Sequence, residues 1–236
     1  ARENGINVIN TPAASSSSVA ELVFAHLFGM VRFLFDSNRQ MPMVGDSNFK
    51  SLKKSYAKGR ELSGKTLGII GFGRIGQEVA KRAIGLGMKV MAHDKFIDEA
   101  NITLDFFNGD KKSFTIETES LKEVLNNSDF ITLHVPKIGN KAVIGAEEIG
   151  MMKTGAGIVN ASRGGIIDET ALMFALDKEK LAYAGLDVFD NEPNPSIHIC
   201  MHNAISLTPH IGAATLEAQD RIGTELADQI SNHFNK

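Results

Sequence analysis

The chain has 236 residues, 43% of them hydrophobic and 22% charged, with a net charge of −3 at pH 7. That is enough apolar material for the core of one large domain; the balance of charge gives no basic field for a nucleic-acid partner and no bias toward disorder. Cys200 is the only cysteine, which rules out an internal disulfide and fits a reducing, cytoplasmic compartment.

In chain order, residues 6–9 predict a short strand stopped by Asn10, Thr11 and Pro12. A serine run follows. Ser18, three residues before Glu21, predicts a capping box that opens a helix over 19–35. That helix is apolar on nearly every side, so it belongs in a core or in a subunit interface. Its richest run, 22–35, is shorter than the ~20 residues a bilayer needs and carries His26 and Arg32, so no membrane partner is expected, and no signal-peptide pattern precedes it. Residues 40–64 lose the apolar period and gather Lys50, Lys53, Lys54, Lys58 and Arg60; this stretch reads as a solvated arm.

From Lys65 the rhythm is α/β. Strands are predicted at 66–71, 89–93, 130–135, 157–160, 182–188 and 204–207, and helices near 75–85, 120–126, 146–152, 168–177 and from 214 toward 234. Strands that read as continuous apolar runs are buried on both faces, which means a parallel, doubly wound sheet of Rossmann type with helices on each side. Residues 98–118 break the rhythm and read as an insertion.

The stretch "TLGIIGFGRIGQEVA" places Gly71, Gly73 and Gly76 in G-x-G-x-x-G spacing between a predicted strand and a predicted helix. The first glycine permits the tight turn, the second lets backbone approach a pyrophosphate, and the third lets helix pack on strand. The helix start then offers unpaired N–H groups and a partial positive charge. Asp94 ends the next strand at the distance, about 20 residues on, where a carboxylate accepts from the adenosine ribose hydroxyls. A carboxylate there repels a 2′-phosphate, so the expected cofactor is NAD rather than NADP.

Ligands gather at the carboxyl ends of strands in such a sheet. Three of those ends carry reactive side chains: Arg163 after "VNAS", Glu192 after "GLDVFDN" and His210 after "LTP". A cation, a carboxylate and an imidazole thus meet at one edge. The plainer alternatives are an Arg163–Asp168 pair, a loop acid at Glu192 and a helix cap at His210.

The segments "GFGRIGQEVAKRAIGLGMKV", "VNASRGGIIDE", "GLDVFDNEP" and "LTPHIGAATLEAQ" resemble the D-isomer-specific 2-hydroxyacid dehydrogenase family, most of all its phosphoglycerate dehydrogenases, and "NGINVINTPAASSSSVAEL" resembles that family's hinge. The resemblance implies a homodimeric NAD enzyme acting on a D-2-hydroxy acid, and it favours oxidation of 3-phosphoglycerate to 3-phosphohydroxypyruvate, the first step of serine biosynthesis, over glycerate/hydroxypyruvate, lactate or glyoxylate as the substrate. It implies that Arg163 holds the substrate carboxylate, His210 is the general acid/base and Glu192 steadies the imidazole. It places Arg74 and Ile75 at the pyrophosphate, with His134, Val135 and Pro136 on the adenosine side. Ala161, Ser162 and Asp187 would line the nicotinamide, with Asp187 receiving its carboxamide, and Gly212 and Ala213 would sit at the same mouth.

The implied organisation is a hinge over 1–16, the NAD-binding domain over 17–212 and a returning helix over 213–236, with dimer contacts through helix 19–35 and arm 40–64. The family carries a smaller half-domain ahead of the hinge, and the resemblance in this sequence starts just before the hinge, after that half-domain. Three other readings stand beside the enzyme. One is a non-catalytic NAD sensor of the same fold, against which Arg163, Glu192 and His210 together argue. Another is a nucleic-acid binder using the lysine-rich arm, which the net charge does not support. The last is a metal site at His198, Cys200 and His202 in "HICMH", which the flanking Asn-Pro and Asn make an irregular loop instead.

Overall fold

The computed structural model describes residues 2–234. After a 3-10 turn at Arg2–Asn4 the chain forms α1 (Ser16–Val31), α2 (Leu34–Val44) and α3 (Phe49–Ser55). An α/β alternation follows: β1 (Thr66–Ile70), α4 (Arg74–Gly85), β2 (Lys89–His93), β3 (Glu99–Asp105), β4 (Lys111–Glu117), α5 (Leu121–Asn127) and β5 (Phe130–Leu133). The chain ends with α6 (Ala146–Met151), β6 (Ala156–Asn160), α7 (Glu169–Asp177), β7 (Leu181–Leu186), α8 (Ile197–Met201), β8 (Ile205–Leu207) and α9 (Leu216–Phe234).

Six strands form one parallel sheet in the order β2-β1-β5-β6-β7-β8. Every residue of β5 and β6 is buried, as continuous apolar strands between two helical layers must be. Alternation along β1 sorts its side chains: Leu67 and Ile69 join a core with α1 and α4, while Ile70 joins the core under α5, α6 and α7. The chain leaves β1 for β2 on one side and returns to β5 on the other. That reversal opens a crevice above the carboxyl ends of β1 and β5, where ligands of such sheets bind.

The first third departs from the sequence expectation. Residues 6–9 form no strand; they are exposed, with Ile6 57% and Val8 56% accessible, and the segment runs beside α9. Gln229 donates to the Asn10 carbonyl at 3.0 Å and Arg221 to the Ala14 carbonyl at 2.8 Å. The capping box at Ser18 and Glu21 does not form, because α1 already starts at Ser16 with Ser15 as its N-cap; inside the first turn Ser18 pairs instead with Thr215 at 2.8 Å, and Glu21 with Arg82 at 2.9 Å. The helix expected over 19–35 breaks at Phe33, whose φ of 55° is left-handed, and α2 starts anew. The arm expected over 40–64 includes the end of α2 and all of α3, so about half of it is helical. Neither α2 nor α3 buries a residue, so no apolar stripe marked them in the sequence.

Residues 98–118 form the antiparallel hairpin β3–β4. Ile102 is buried in the α4 core, and Glu119 donates its N–H to the Ala92 carbonyl at 2.7 Å, so the hairpin covers the exposed edge of β2. The "HICMH" stretch is the short helix α8 rather than a loop; His202 approaches Asp177 at 3.5 Å, and no cluster of three metal-ligating side chains occurs among the described residues. No single helix among them is long and apolar enough to cross a membrane.

Candidate active site

The glycine loop is built as its spacing predicts. Gly71 has a φ of 95°, which a side chain would strain, and donates to the His93 carbonyl at 2.8 Å. A Cβ at Gly76 would lie 2.2 Å from the Gly71 carbonyl oxygen, so only glycine lets α4 sit this close to the β1 turn. Gly73 is the N-cap of α4, with open space on its Cβ side and no side-chain cap, leaving the first N–H groups of α4, at Arg74 and Ile75, free of side-chain partners. The cradle is therefore open where a pyrophosphate needs it and closed where the helix needs support.

Asp94 is placed at this loop, but its carboxylate already has work inside the chain. Oδ2 accepts the Phe72 N–H at 2.7 Å, and Oδ1 accepts from Phe96 at 2.8 Å and Ile97 at 3.3 Å. A carboxylate has about four acceptor positions. Asp94 thus pins the glycine loop to the end of β2 and keeps about one position for a ribose hydroxyl, where the sequence reading gave it both. Across the crevice, His134 donates its N–H to the Ile70 carbonyl at 2.7 Å and its ring meets the Thr132 hydroxyl at 2.9 Å. Burial lowers the His134 pKa to about 3, so the ring is neutral. Val135 and Pro136 follow it, Pro136 on the surface.

At the end of β6, Asn160 is the organiser. Its Oδ1 accepts from the Ser162 N–H at 3.1 Å and hydroxyl at 3.0 Å, and its Nδ2 donates to the Arg163 carbonyl at 2.9 Å. This turn buries Ala161 and Ser162 and leaves Arg163 exposed. Asp168 is not paired with Arg163; it caps α7 through the N–H groups of Thr170 and Ala171. A Cβ at Gly164 would lie 1.8 Å from the Phe189 carbonyl oxygen, so this glycine brings the Arg163 and Glu192 loops together.

At the ends of β7 and β8 the Glu192 carboxylate meets His210 Nδ1 at 2.8 Å, and its other oxygen accepts the Phe189 N–H at 2.9 Å. An ionised carboxylate only accepts, so Nδ1 carries the hydrogen and Nε2 is the free nitrogen. The hydrogen bond from His210, and after it the Phe189 N–H, holds Glu192 below the usual carboxyl range. The stability this gives is present above the unfolded carboxyl value, about 4.3, and is lost as pH falls through the lower folded one. His210 has a left-handed φ of 55°. Its loop is held by Asp187, 1% accessible, which accepts from the Thr208 hydroxyl at 2.6 Å and from the Ile211 and Gly212 N–H groups at 2.8 Å each. Both carboxylate oxygens of Asp187 thus serve the chain itself, and, as at Asp94, about one acceptor position is left for the carboxamide contact expected from sequence. Gly212 is buried behind the loop and Ala213 is exposed.

Arg163, Glu192 and His210 are all exposed at one open edge of the sheet. Asn160, Gly164 and Thr208 were not singled out in the sequence. Their neighbours carry the reactive groups, and only the fold shows that they hold those groups in place.

A profile of the family described as D-isomer specific 2-hydroxyacid dehydrogenase, NAD binding domain, matches residues 24–212. The chain is 43% identical to a hydroxypyruvate reductase from Thermotoga maritima, covering 98% of this chain and 71% of the relative. It is 41% identical to a D-3-phosphoglycerate dehydrogenase from Methanocaldococcus jannaschii, covering 98% of this chain but only 41% of that protein. Among solved structures, a glyoxylate reductase from Paecilomyes thermophila superimposes with a TM-score of 0.79 at 32% identity, over 98% of this chain and 66% of the other.

Replacing Gly76 with Ala drives a methyl group into the Gly71 carbonyl. The expected result is a loss of roughly 1–3 kcal/mol in stability together with weaker NAD binding, read by chemical denaturation and calorimetry. Unchanged values for both would contradict this account of the loop. With the open cradle at α4, the match over 24–212 and these relatives, the chain belongs to the D-isomer specific 2-hydroxyacid dehydrogenase family, and the cofactor of its sheet edge is NAD.

Proposed function

We propose that this chain is the NAD-binding part of an enzyme that interconverts a D-2-hydroxy acid and its 2-keto acid. The observation that carries the reading is the His210–Glu192 pair at 2.8 Å, beside Arg163 and on the same sheet edge as the glycine loop. A bound NAD would supply the hydride acceptor for oxidation and the hydride donor for reduction. His210 Nε2 accepts the hydroxyl proton as that hydride leaves and gives it back in the reverse direction. Glu192 keeps the ring oriented and faces the imidazolium with a negative charge. Arg163 offers paired N–H donors to the substrate carboxylate. Arg74 and Ile75 would hold the pyrophosphate, Asp94 the ribose, His134, Val135 and Pro136 the adenosine side, and Ala161, Ser162, Asp187, Gly212 and Ala213 the nicotinamide.

For the substrate we propose 3-phosphoglycerate, supported by the motif resemblance and by the Methanocaldococcus relative. The Thermotoga relative, of which this chain spans the larger share, supports a second reading, hydroxypyruvate and glycerate. A panel of 2-hydroxy and 2-keto acids with NAD(H), assayed on the complete enzyme, separates the two by kcat/KM. In that enzyme His210→Ala is expected to lower turnover by roughly 10²–10⁴-fold with NAD affinity almost intact. Turnover near the parent level would remove His210 from the reaction.

The Asp94 carboxylate should favour NAD over NADP by roughly tenfold or more, about 1.4 kcal/mol. Asp94→Ala is expected to weaken both, since it also frees the Phe72 N–H, and to narrow the ratio between them. Equal binding of the two cofactors by the parent protein would overturn the assignment.

A homodimer is also proposed. α1 buries most of its apolar face within this one domain, so its composition alone does not require a partner. The support lies in the large apolar side chains left exposed around it: Phe28, Leu34, Met41, Met43 and Phe49. Light scattering at micromolar concentration should give twice the 25.5 kDa chain mass, and Phe28→Asp should give the monomer. A parent protein that runs as a clean monomer would refute it.

A further inference from the structure

Helix α1 carries two polar faces: Ser17 and Glu21 meet Arg82 of α4, and a second face turns toward β8 and the loop after it. Ser18, Leu22 and His26 lie on a common face at four-residue spacing, and all three meet the segment that carries His210. Ser18 pairs with Thr215; Leu22 and Val19 lie against Gly212, within 3.7 and 3.5 Å of where its Cβ would be. His26, 2% accessible, has Nδ1 at 2.8 Å from the Ser206 hydroxyl and Nε2 at 3.1 Å from the Thr208 hydroxyl. Gly185 on β7 makes room for the ring: a Cβ there would lie 2.9 Å from the His26 Cβ.

The direction of every bond in this chain follows from one charge. The Asp187 carboxylate can only accept, so the Thr208 hydroxyl donates to it. Thr208 then has lone pairs alone to offer His26, and Nε2 must carry the ring hydrogen. A neutral ring leaves Nδ1 as an acceptor, and Ser206 donates to it. Burial, against the opposing pull of Asp187, lowers the His26 pKa and keeps the ring neutral.

We propose that His26 is a positioning residue for the reaction: from α1, through Thr208, it fixes the Asp187 carboxylate and with it the loop that presents His210. The inference rests on the reading of His210 as the acid/base. Asp187 gathers Thr208, Ile211 and Gly212 onto one carboxylate, and His210 stands between two of those donors in a left-handed conformation. Without His26, Thr208 still donates to Asp187 but loses the donor on its lone pairs that holds its side chain in place from α1, and the Glu192–His210 geometry loosens. Small displacements of reacting groups are costly even when the substituted residue is remote from the chemistry.

Nitrogen-15 NMR of the imidazoles, with His26 assigned by its loss in His26→Gln, tests the wiring apart from activity. The expected pattern at pH 8 is a hydrogen on Nε2 and a bare Nδ1. A hydrogen on Nδ1 at that pH would overturn the proposal. Kinetics on the complete enzyme test the consequence. His26→Leu and Thr208→Val should each lower kcat by roughly 10–100-fold with the KM for NAD nearly constant, and the double variant should lose little more than either alone. His26→Gln keeps a donor toward Thr208 and an acceptor toward Ser206, and Thr208→Ser keeps the hydroxyl; both should restore most of the rate. Wild-type kcat in His26→Leu, or equal losses in His26→Gln and His26→Leu, would refute the role. Should His26→Leu fail to fold, the contrast of Thr208→Val with Thr208→Ser decides. Activity retained in His210→Ala would remove the acid/base reading while leaving the NMR result standing.

Discussion

The buried carboxylate of Asp187 is the constraint around which the reactive edge is arranged. A charge that is 1% accessible must be compensated inside the protein. Among the described residues it is met by three hydrogen-bond donors rather than by a cation: the Thr208 hydroxyl and the Ile211 and Gly212 N–H groups. Satisfying it bends the chain after β8 back over the end of β7. That bend sets His210 in a left-handed conformation with its ring toward Glu192. The same charge reaches α1 through Thr208 and His26, so a helix that the composition marks only as apolar is tied by polar contacts to the candidate site.

The opposite half of the edge obeys a different physics. At β1 and α4 there is no buried charge; there is an absence of side chains. Gly71 and Gly76 allow backbone to approach backbone, and Gly73 leaves the helix start open. Asp94 fastens this loop to β2 through the Phe72 N–H. One half of the edge is therefore held by a carboxylate that gathers donors, and the other by close packing that leaves donors free for an anion. The reversal of strand order between β1 and β5 opens the crevice above the glycine loop, and β6, β7 and β8 line up the other reactive ends beside it.

Glycine spacing, continuous apolar strands and the acid ending β2 are local signals, and each was legible because strand–turn–helix geometry depends on near neighbours. So were the six strands of the parallel sheet and the convergence of Arg163, Glu192 and His210 on one edge. The first third was not legible in the same way. Ser18 and Glu21 form a good capping box on paper, yet each finds a distant partner, Thr215 and Arg82. α2 and α3 bury nothing, so no periodicity announced them. Residues 98–118 stood out as an insertion, but only the packed hairpin shows that they cover the β2 edge.

By itself, then, the sequence determined the parallel α/β sheet, the glycine cradle with Asp94, and the candidate residues Arg163, Glu192 and His210 at one edge of it. All of these follow from residue type and short spacing. The tertiary structure alone decided what the polar groups do. It directed three acceptor positions of Asp94 to backbone amides rather than to open solvent. It gave Asp187 the His210 loop to hold, made Asn160 and Gly164 the supports of Arg163, and turned His26 from a polar interruption in an apolar helix into a wired part of the edge. The physical reason is that a hydrogen-bonding group is satisfied by whatever lies within about 3 Å of it. For Ser206, Thr208 and His26, separated by some 180 residues of chain, that neighbour exists only after the sheet has closed.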